Sequence, residues 1–445
     1  MRPANQFGPA CMQDEMGVRL PWTRGFMTQG PISEDCVYLN VWTSSPDTAR
    51  NLPVMVYIYG GGFSEGSSQV AVYNGANLAR KGVVVVTFNY RVGALGFLAY
   101  PALTAESRHH SSGNYGLLDQ IAALKWVQAN IHAFGGNPAN VTIFGQSAGA
   151  ISVGYLIASP LAQHLFARAI AESGLGLFPG SLGKSLAPPL AQAEQRGVKF
   201  AQAHGAHSLA QLRAIPAADF FKPVAGGNGR VEPGGPATDN WVIPETRLAH
   251  EVPLIDGTVT GDTVFGSGFG FIPPKTVAEY KAAAQKAYGP MAGEFLKLFP
   301  VKNAAEIPAQ IRASGVARDR ISMYLWAKQQ AQRSPVIYTY YFDHPIPGPQ
   351  HPEFGAFHTA EVPYIFQTIS VLHHPFQPID FKISREMSSY WTNFAKTGNP
   401  NGPGLANWPE FNADHRTTMH LGSQMGPMPL ASPAQLKFFM EFFEK

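Results

Sequence analysis

The stretch Val141-Thr-Ile-Phe-Gly-Gln-Ser-Ala-Gly149 decides how the rest of the chain is interpreted. A short apolar run leads into the pattern G-x-S-x-G, and apolar residues then recur at helical spacing over residues 151–157. Strand, sharp turn and helix in this order form a nucleophile elbow, in which a serine is held at a strained turn. The tight turn requires small residues at Gly145 and Gly149. The adjacent helix N-terminus favours developing negative charge, so we predict that Ser147 is a nucleophile.

A second glycine-rich segment, Gly60-Gly61-Gly62-Phe63, directly follows the strand-like run at 54–59. Glycines at this place allow backbone N–H groups to approach an oxyanion, which is the role of HGGG-type motifs in lipases and esterases. Tyr59 stands where such motifs usually have histidine. The presence of both motifs in the expected order predicts acyl-transfer chemistry.

The first half of the chain alternates between strand-like and helix-like patterns. β-branched or aromatic runs occur at 37–43, 54–59, 83–90 and 141–144, and an amphipathic helical pattern covers 115–134. Strands that alternate with helices in this way predict a parallel sheet with crossover helices. Residues 83–88 read VVVVTF without alternation of polar and apolar residues, as expected for a strand that is buried on both faces.

The second half is less regular, but it continues the same pattern. Helical patterns occur at 190–204 and 208–215, and strand-like runs resume at 252–259 and 336–342. We expect the less regular segment at about 175–250 to be inserted over one end of the sheet. Residues 1–445 should therefore form one α/β domain rather than several.

Composition excludes several classes of protein. The 445 residues include 33 Lys and Arg against 30 Asp and Glu, a net charge of +3, and contain no basic block. This balance indicates neither a nucleic-acid nor an anionic-membrane partner. The apolar runs are far shorter than the ~20 residues that a membrane span needs. We expect no metal or organic cofactor, and composition alone favours two unrelated, reduced cysteines at Cys11 and Cys36.

A serine nucleophile needs a base and an orienting carboxylate, which follow it along the chain in the order acid, then histidine. Of the 14 histidines, His358 lies in a loop beyond the last clear strand. Two carboxylates, Asp256 and Asp262, lie at the end of the strand-like run at 252–259. The residue pattern alone does not decide between these two acids.

Several longer motifs together resemble the type-B carboxylesterases, which include cholinesterases and bacterial p-nitrobenzyl esterases. The motifs are Ser33-Glu-Asp-Cys-Val-Tyr-Leu-Asn-Val-Trp42, Tyr57-Ile-Tyr-Gly-Gly-Gly-Phe63, Asn89-Tyr-Arg-Val-Gly-Ala-Leu-Gly-Phe97, Asn114-Tyr-Gly-Leu-Leu-Asp-Gln120, Gly145 to Gly149 and Trp391-Thr-Asn-Phe-Ala-Lys-Thr-Gly-Asn-Pro400. The likeness covers nearly the whole chain and is weakest at 175–250. It implies the α/β-hydrolase fold and ester hydrolysis.

The resemblance also implies roles for individual residues. Gly355 to Pro363 matches the family's histidine motif, which makes His358 the base, and the family's acidic position falls on Asp262, where aspartate replaces glutamate. The implied oxyanion donors are the amides of Gly61, Gly62 and Ala148. Cys11 and Cys36 match a family disulfide, and Glu34 and Arg91 match a buried structural ion pair.

We expect a preference for neutral, small-to-medium esters. Cholinesterases bind a cation with an aromatic face and a carboxylate immediately before the serine, where this chain has uncharged Gln146. The predicted substrate-binding residues are Gln146, Trp22, Phe63, Phe269 and Phe357. A non-catalytic adhesion relative, or an amidase or lactonase that uses the same site, are the alternatives.

The chain begins close to Phe7-Gly-Pro-Ala-Cys11, where the resemblance leads us to expect several dozen preceding residues. Either the start is truncated or the active-site entrance is more open than in the family. A bridged Cys11 and Cys36 would indicate an exported protein whose export signal is not in this chain.

Overall fold

The computed structural model describes residues 4–14, 18–177, 187–222, 233–245, 252–263, 273–332, 334, 336–348 and 354–444. Two sheets lie within these ranges: a two-stranded parallel sheet and a nine-stranded mixed sheet. The strands are β1 Ala10–Cys11, β2 Ile32–Ser33, β3 Leu39–Trp42, β4 Leu52–Ile58, β5 Val84–Phe88, β6 Gly136–Gln146, β7 Arg168–Glu172, β8 Leu254–Val259, β9 Ile337–Phe342, β10 Thr417–Leu421 and β11 Gly426–Pro429.

The large sheet has the order β11-β10-β9-β8-β7-β6-β4-β5-β3. All neighbours are parallel except the two edge pairs, β3 with β5 and β10 with β11. Every residue of β5, β8 and β9 is buried. The expectation of a mostly parallel sheet with buried central strands is therefore confirmed.

Helices pack on both faces of this sheet. In chain order they are α1 Ala76–Ala79, α2 Gly93–Phe97, α3 Pro101–Glu106, α4 Tyr115–Asn130, α5 Ala148–Ala158, α6 Leu190–Ala203, α7 Leu209–Ala214, α8 Val277–Tyr288, α9 Ala292–Leu298, α10 Ile307–Gln330, α11 Val362–Ile365, α12 Pro378–Thr397 and α13 Pro433–Glu444. No helix in the described part of the chain is long and apolar enough to cross a membrane.

Two features of the fold position the site. The carboxyl ends of β4, β6 and β8 point to the same edge of the sheet, where the ligands of α/β proteins bind. On the N-terminal side, β1 and β2 pair beside a disulfide between Cys11 and Cys36, as the resemblance implied. The loop closed by this disulfide crosses the same edge.

One predicted contact is wrong. Arg91 does not pair with Glu34; its guanidinium binds both carboxylate oxygens of Asp119 on α4, at 2.8 Å each. The backbone N–H of Arg91 also donates to Asp119, and Glu34 is exposed. Arg91 pairs with Asp119 because α4 places this carboxylate where it accepts from both the backbone N–H and the guanidinium of Arg91.

Candidate active site

Ser147 occupies the turn between β6 and α5. Its φ of 57° and ψ of −124° are a strained conformation for a residue with a side chain. The turn is fixed from both sides, because the Ser147 N–H donates to the Glu172 carbonyl at 2.9 Å and the Ser147 carbonyl accepts from Ile151. A Cβ on either Gly145 or Gly149 would overlap the carbonyl of Ile58. The geometry is that of the predicted elbow.

The glycine loop after β4 lies beside Ser147. Gly61 has φ of +103°, and a Cβ there would overlap the Glu65 carbonyl, so only glycine fits. Gly61 and Gly62 line a cavity of about 590 Å³ together with Ser147. Tyr59, at the usual histidine position, is buried and stacks on Tyr90 with ring centroids 4.4 Å apart.

His358 and Asp262 are in direct contact. The Nδ1 atom of His358 lies 2.6 Å from Oδ1 of Asp262, and both side chains are buried. The other carboxylate oxygen of Asp262 accepts the backbone N–H of Val259 at 2.8 Å. The two loops are joined by a hydrogen bond from Gly261 N–H to the Ala356 carbonyl, also at 2.8 Å.

The alternative acid, Asp256, lies elsewhere. It is a residue in the middle of β8, and its carboxylate faces Gly176. Burial raises its pKa well above the ordinary value. Asp262, and not Asp256, is therefore the carboxylate in contact with His358.

The opposite edge of the imidazole faces Gln146. The side-chain nitrogen of Gln146 lies 3.2 Å from His358 Nε2. In the tautomer that carries its proton on Nδ1, the ring donates to Asp262 and Nε2 accepts from the Gln146 amide. Gln146, Ser147 and His358 all line the cavity, so a molecule bound in it lies beside all three side chains.

Two buried carboxyl groups lie behind the elbow that the sequence did not single out. Burial raises the pKa of Glu172, at the end of β7, to about 8, and its Oε1 accepts the Trp391 indole N–H at 2.7 Å. Burial and the neighbouring Glu172 raise the pKa of Glu361 well above its usual value. The sequence signal was the placement of Glu172 directly after an apolar strand-like run, which resembles a buried strand end.

The predicted substrate-binding residues differ in position. Trp22 and Gln146 line the cavity, whereas Phe63 packs on Phe97 with ring centroids 5.1 Å apart. Phe357 packs behind Trp22, with ring centroids 6.3 Å apart. Phe269 lies outside the described residues. Cavity-lining residues that the sequence did not indicate are Asp14, Arg19, Phe26, Met27, Thr28, Ser64, Glu65, Gly66, Val70, Tyr73 and Thr359.

The face of Trp22 is covered by a cation from the chain itself. The guanidinium carbon of Arg19 lies 5.5 Å from the Trp22 ring centroid, and Arg19 forms an ion pair with Glu65 at 2.8 Å. Arg19 precedes Trp22 by one short turn, closed by a hydrogen bond from Trp22 N–H to the Arg19 carbonyl at 2.9 Å. The rim of the cavity therefore already contains the positive charge that an aromatic face attracts.

Comparison with known proteins agrees with this geometry. The profile of the carboxylesterase family matches residues 1–288 and 307–438. The chain belongs to the carboxylesterase family. Its members include serine hydrolases named as esterases and lipases, and this carboxylesterase likewise hydrolyses esters.

Three relatives show how far the likeness extends. The fumonisin B1 esterase of Sphingopyxis macrogoltabida is 37% identical over 96% of this chain and 78% of its own length. The para-nitrobenzyl esterase of Bacillus subtilis (strain 168) is 34% identical over 95% and 85%, respectively. The solved structure of a PNB esterase superimposes with a TM-score of 0.74 at 31% identity, covering 98% of this chain and 88% of that one. The α/β-hydrolase fold of this carboxylesterase is thereby shown.

Proposed function

We propose that Ser147, His358 and Asp262 are the catalytic triad of this carboxylesterase. The observation that carries the assignment is the 2.6 Å contact between His358 and Asp262, beside a serine in the elbow conformation. The three residues come from the ends of different elements, in the chain order that this fold uses. Ser147 and His358 line one cavity and Asp262 contacts His358, which supports the triad that a serine hydrolase requires.

The reaction follows from this arrangement. Ser147 Oγ attacks the ester carbonyl while His358 Nε2 takes its proton, and Asp262 keeps the imidazole in the required tautomer. The new C–O bond places negative charge on the former carbonyl oxygen, which the amides of Gly61, Gly62 and Ala148 stabilise. Collapse breaks the ester C–O bond, and His358 gives its proton to the leaving alcohol.

Water completes the cycle. His358 removes a proton from a water molecule that attacks the acyl-enzyme, and the same proton returns to Ser147 Oγ as the carboxylic acid leaves. Every proton in these two steps moves through His358 Nε2. The site therefore requires no further acid or base.

We propose neutral, small-to-medium esters as the substrates. Gln146 carries no charge where a cation-binding site would have a carboxylate, and Arg19 covers the face of Trp22. A substrate cation would have to displace Arg19 from the Trp22 face, because Arg19 already occupies that face and is held there by its ion pair with Glu65. The apolar Phe26, Val70 and Tyr73 suit a neutral acyl or alcohol group instead.

Two alternatives differ in testable ways. A non-catalytic relative would not turn over any ester, whereas all three proposed triad positions here hold usable groups. An amidase or lactonase would use the same triad with a different leaving group. The relatives are named as esterases and lipases, which favours ester cleavage.

We also propose that the protein is exported. The Cys11–Cys36 disulfide is the supporting observation, since such bonds persist in oxidising compartments.

The substrate proposal is tested with p-nitrophenyl esters of graded acyl length, each paired with the matching anilide, and with a set of lactones. We expect kcat/KM for each ester to exceed that for its anilide, with an optimum at short or medium acyl chains. A preference for anilides or lactones would contradict the ester assignment while leaving the triad intact.

A further inference from the structure

The indole N–H of Trp22 is bonded to the loop that carries the catalytic histidine. It lies 3.1 Å from the backbone carbonyl of His358 and 3.2 Å from the hydroxyl of Thr359, so it donates to both. The indole ring is held edge-on against Phe357, and Phe26 packs against Phe357 in the same manner, with ring centroids 5.5 Å apart. Trp22 is thus oriented by its packing as well as by its hydrogen bonds.

The contacts continue around the imidazole. The Thr359 hydroxyl donates to Oε1 of Gln146 at 3.5 Å, and the nitrogen of the same amide faces His358 Nε2 at 3.2 Å. Trp22, Thr359 and Gln146 therefore connect the peptide carbonyl of His358 to the edge of its ring that must receive the serine proton. Asp262 holds the other edge.

The backbone conformation at Thr359 is strained. Thr359 has a φ of +92°, which a β-branched residue rarely adopts and which costs conformational energy. Such a conformation persists only where the surroundings fix it. The indole N–H of Trp22 donates to the Thr359 hydroxyl and to the carbonyl of the peptide that joins His358 to Thr359, and so is placed to fix this conformation.

We propose that Trp22 is a positioning residue for His358, acting through its indole N–H. The inference rests on the proposed function of His358 as the base. Asp262 holds the imidazole at Nδ1, and Trp22 holds the carbonyl of the same residue and thereby the backbone that carries the ring. Trp22 ties that loop to the segment closed by the Cys11–Cys36 disulfide. The disulfide loop therefore contributes to catalysis as well as to the rim of the cavity.

The test replaces the donor but keeps the ring packing. Trp22→Phe should lower kcat for p-nitrophenyl acetate by roughly ten- to a hundredfold, because a small displacement of a catalytic group has effects of this size, with KM changed less than about threefold. Thr359→Val, which has the same shape without the hydroxyl, should lower kcat in the same direction, and Thr359→Ser should restore most of it. Trp126→Phe, on the half-buried face of α4, is the matched control and should keep wild-type kcat.

Each outcome has a defined meaning. Wild-type kcat in Trp22→Phe, or a change confined to KM, would overturn the proposal, since Trp22 would then only contact substrate. If Trp22→Phe unfolds, as circular dichroism would show, Thr359→Val and Thr359→Ser decide the question. Activity that survives Ser147→Ala would instead contradict the proposed function, and that result is independent of Trp22.

Discussion

The carboxylate of Asp262 lies 2.6 Å from Nδ1 of His358, although the family resemblance implies glutamate, which is one methylene longer, at this position. The shorter side chain suffices because the two loops touch. The Gly261 N–H donates to the Ala356 carbonyl, and a Cβ on Gly261 would lie 2.5 Å from the backbone nitrogen of His358. The backbone approach at Gly261 thus compensates for the missing methylene.

The acid assignment predicts a contrast between two aspartates. Asp262→Asn should lower kcat by a factor of about 10⁴, because the amide favours the wrong histidine tautomer. Asp256→Asn should change kcat by less than about threefold, because burial already favours the neutral form of that carboxyl. Steady-state kinetics on one p-nitrophenyl ester measures both, and the reverse pattern would show that Asp256 is the acid.

Arg19 predicts how the enzyme treats a cationic substrate. We expect a choline ester and its neutral 3,3-dimethylbutyl isostere to differ in kcat/KM by less than about tenfold, which corresponds to about 1.4 kcal/mol. Arg19→Gln should raise the ratio in favour of the cation by uncovering the Trp22 face, a gain of ~0.5–2 kcal/mol. Arg24→Gln, an exposed arginine of the same disulfide loop, is the control. A ratio that does not move in Arg19→Gln would show that Arg19 does not set this specificity.

The disulfide predicts both a stability and an activity effect. Replacing Cys11 and Cys36 by serine should lower the free energy of unfolding by about 3 kcal/mol, since the bridge closes a loop of 25 residues. Thiol titration of the unfolded, unreduced wild type should find no free thiol. The serine double variant should also lose kcat, and adding Trp22→Phe should then cost less than it does in the wild type. If the kcat losses of the two changes were fully additive in free energy, Trp22 would act independently of the disulfide, which would contradict this prediction.

Glu172 predicts a pH dependence of stability. Its pKa of about 8 in the folded protein exceeds the ordinary value of 4.5, so the folded state holds a proton that the unfolded state releases. Its contribution to stability is complete below pH 4.5 and is lost as the pH rises towards about 8, by up to about 1.4 kcal/mol per pH unit. Glu172→Gln keeps an acceptor for Trp391 and removes this titration. The Tm of the variant minus the Tm of the wild type should therefore become more positive from pH 5 to pH 8. A difference that stays constant over this range would contradict the raised pKa of Glu172.

The sequence predicted those parts of the fold and site that depend on local patterns. The elbow at Ser147, the glycine loop at Gly61 and the buried strands follow from residue types that few other conformations tolerate. His358 and Asp262 needed the family resemblance, because a loop residue is brought to its partner by tertiary packing that leaves little trace in the local sequence. The choice between Asp256 and Asp262 illustrates this limit.

Side-chain partners were harder to predict than elements. The expected Glu34–Arg91 pair gave way to Arg91–Asp119, because many carboxylates can reach an arginine and only the packing of α4 selects one. Phe63 and Phe357 were expected at the substrate but pack on other aromatic rings. An aromatic side chain near a motif in sequence can pack on several different apolar surfaces. Which of them it contacts depends on the tertiary fold.

The central claim is that Ser147 forms the acyl-enzyme, and labelling with a fluorophosphonate tests it most directly. Intact-mass and peptide analysis should show one adduct per chain, located on Ser147, with loss of esterase activity in proportion to labelling. Ser147→Ala should take up no label and lose activity by a factor of about 10⁴ or more, with an unchanged circular dichroism spectrum. Wild-type-like turnover in Ser147→Ala, or stoichiometric labelling at another residue, would contradict the account.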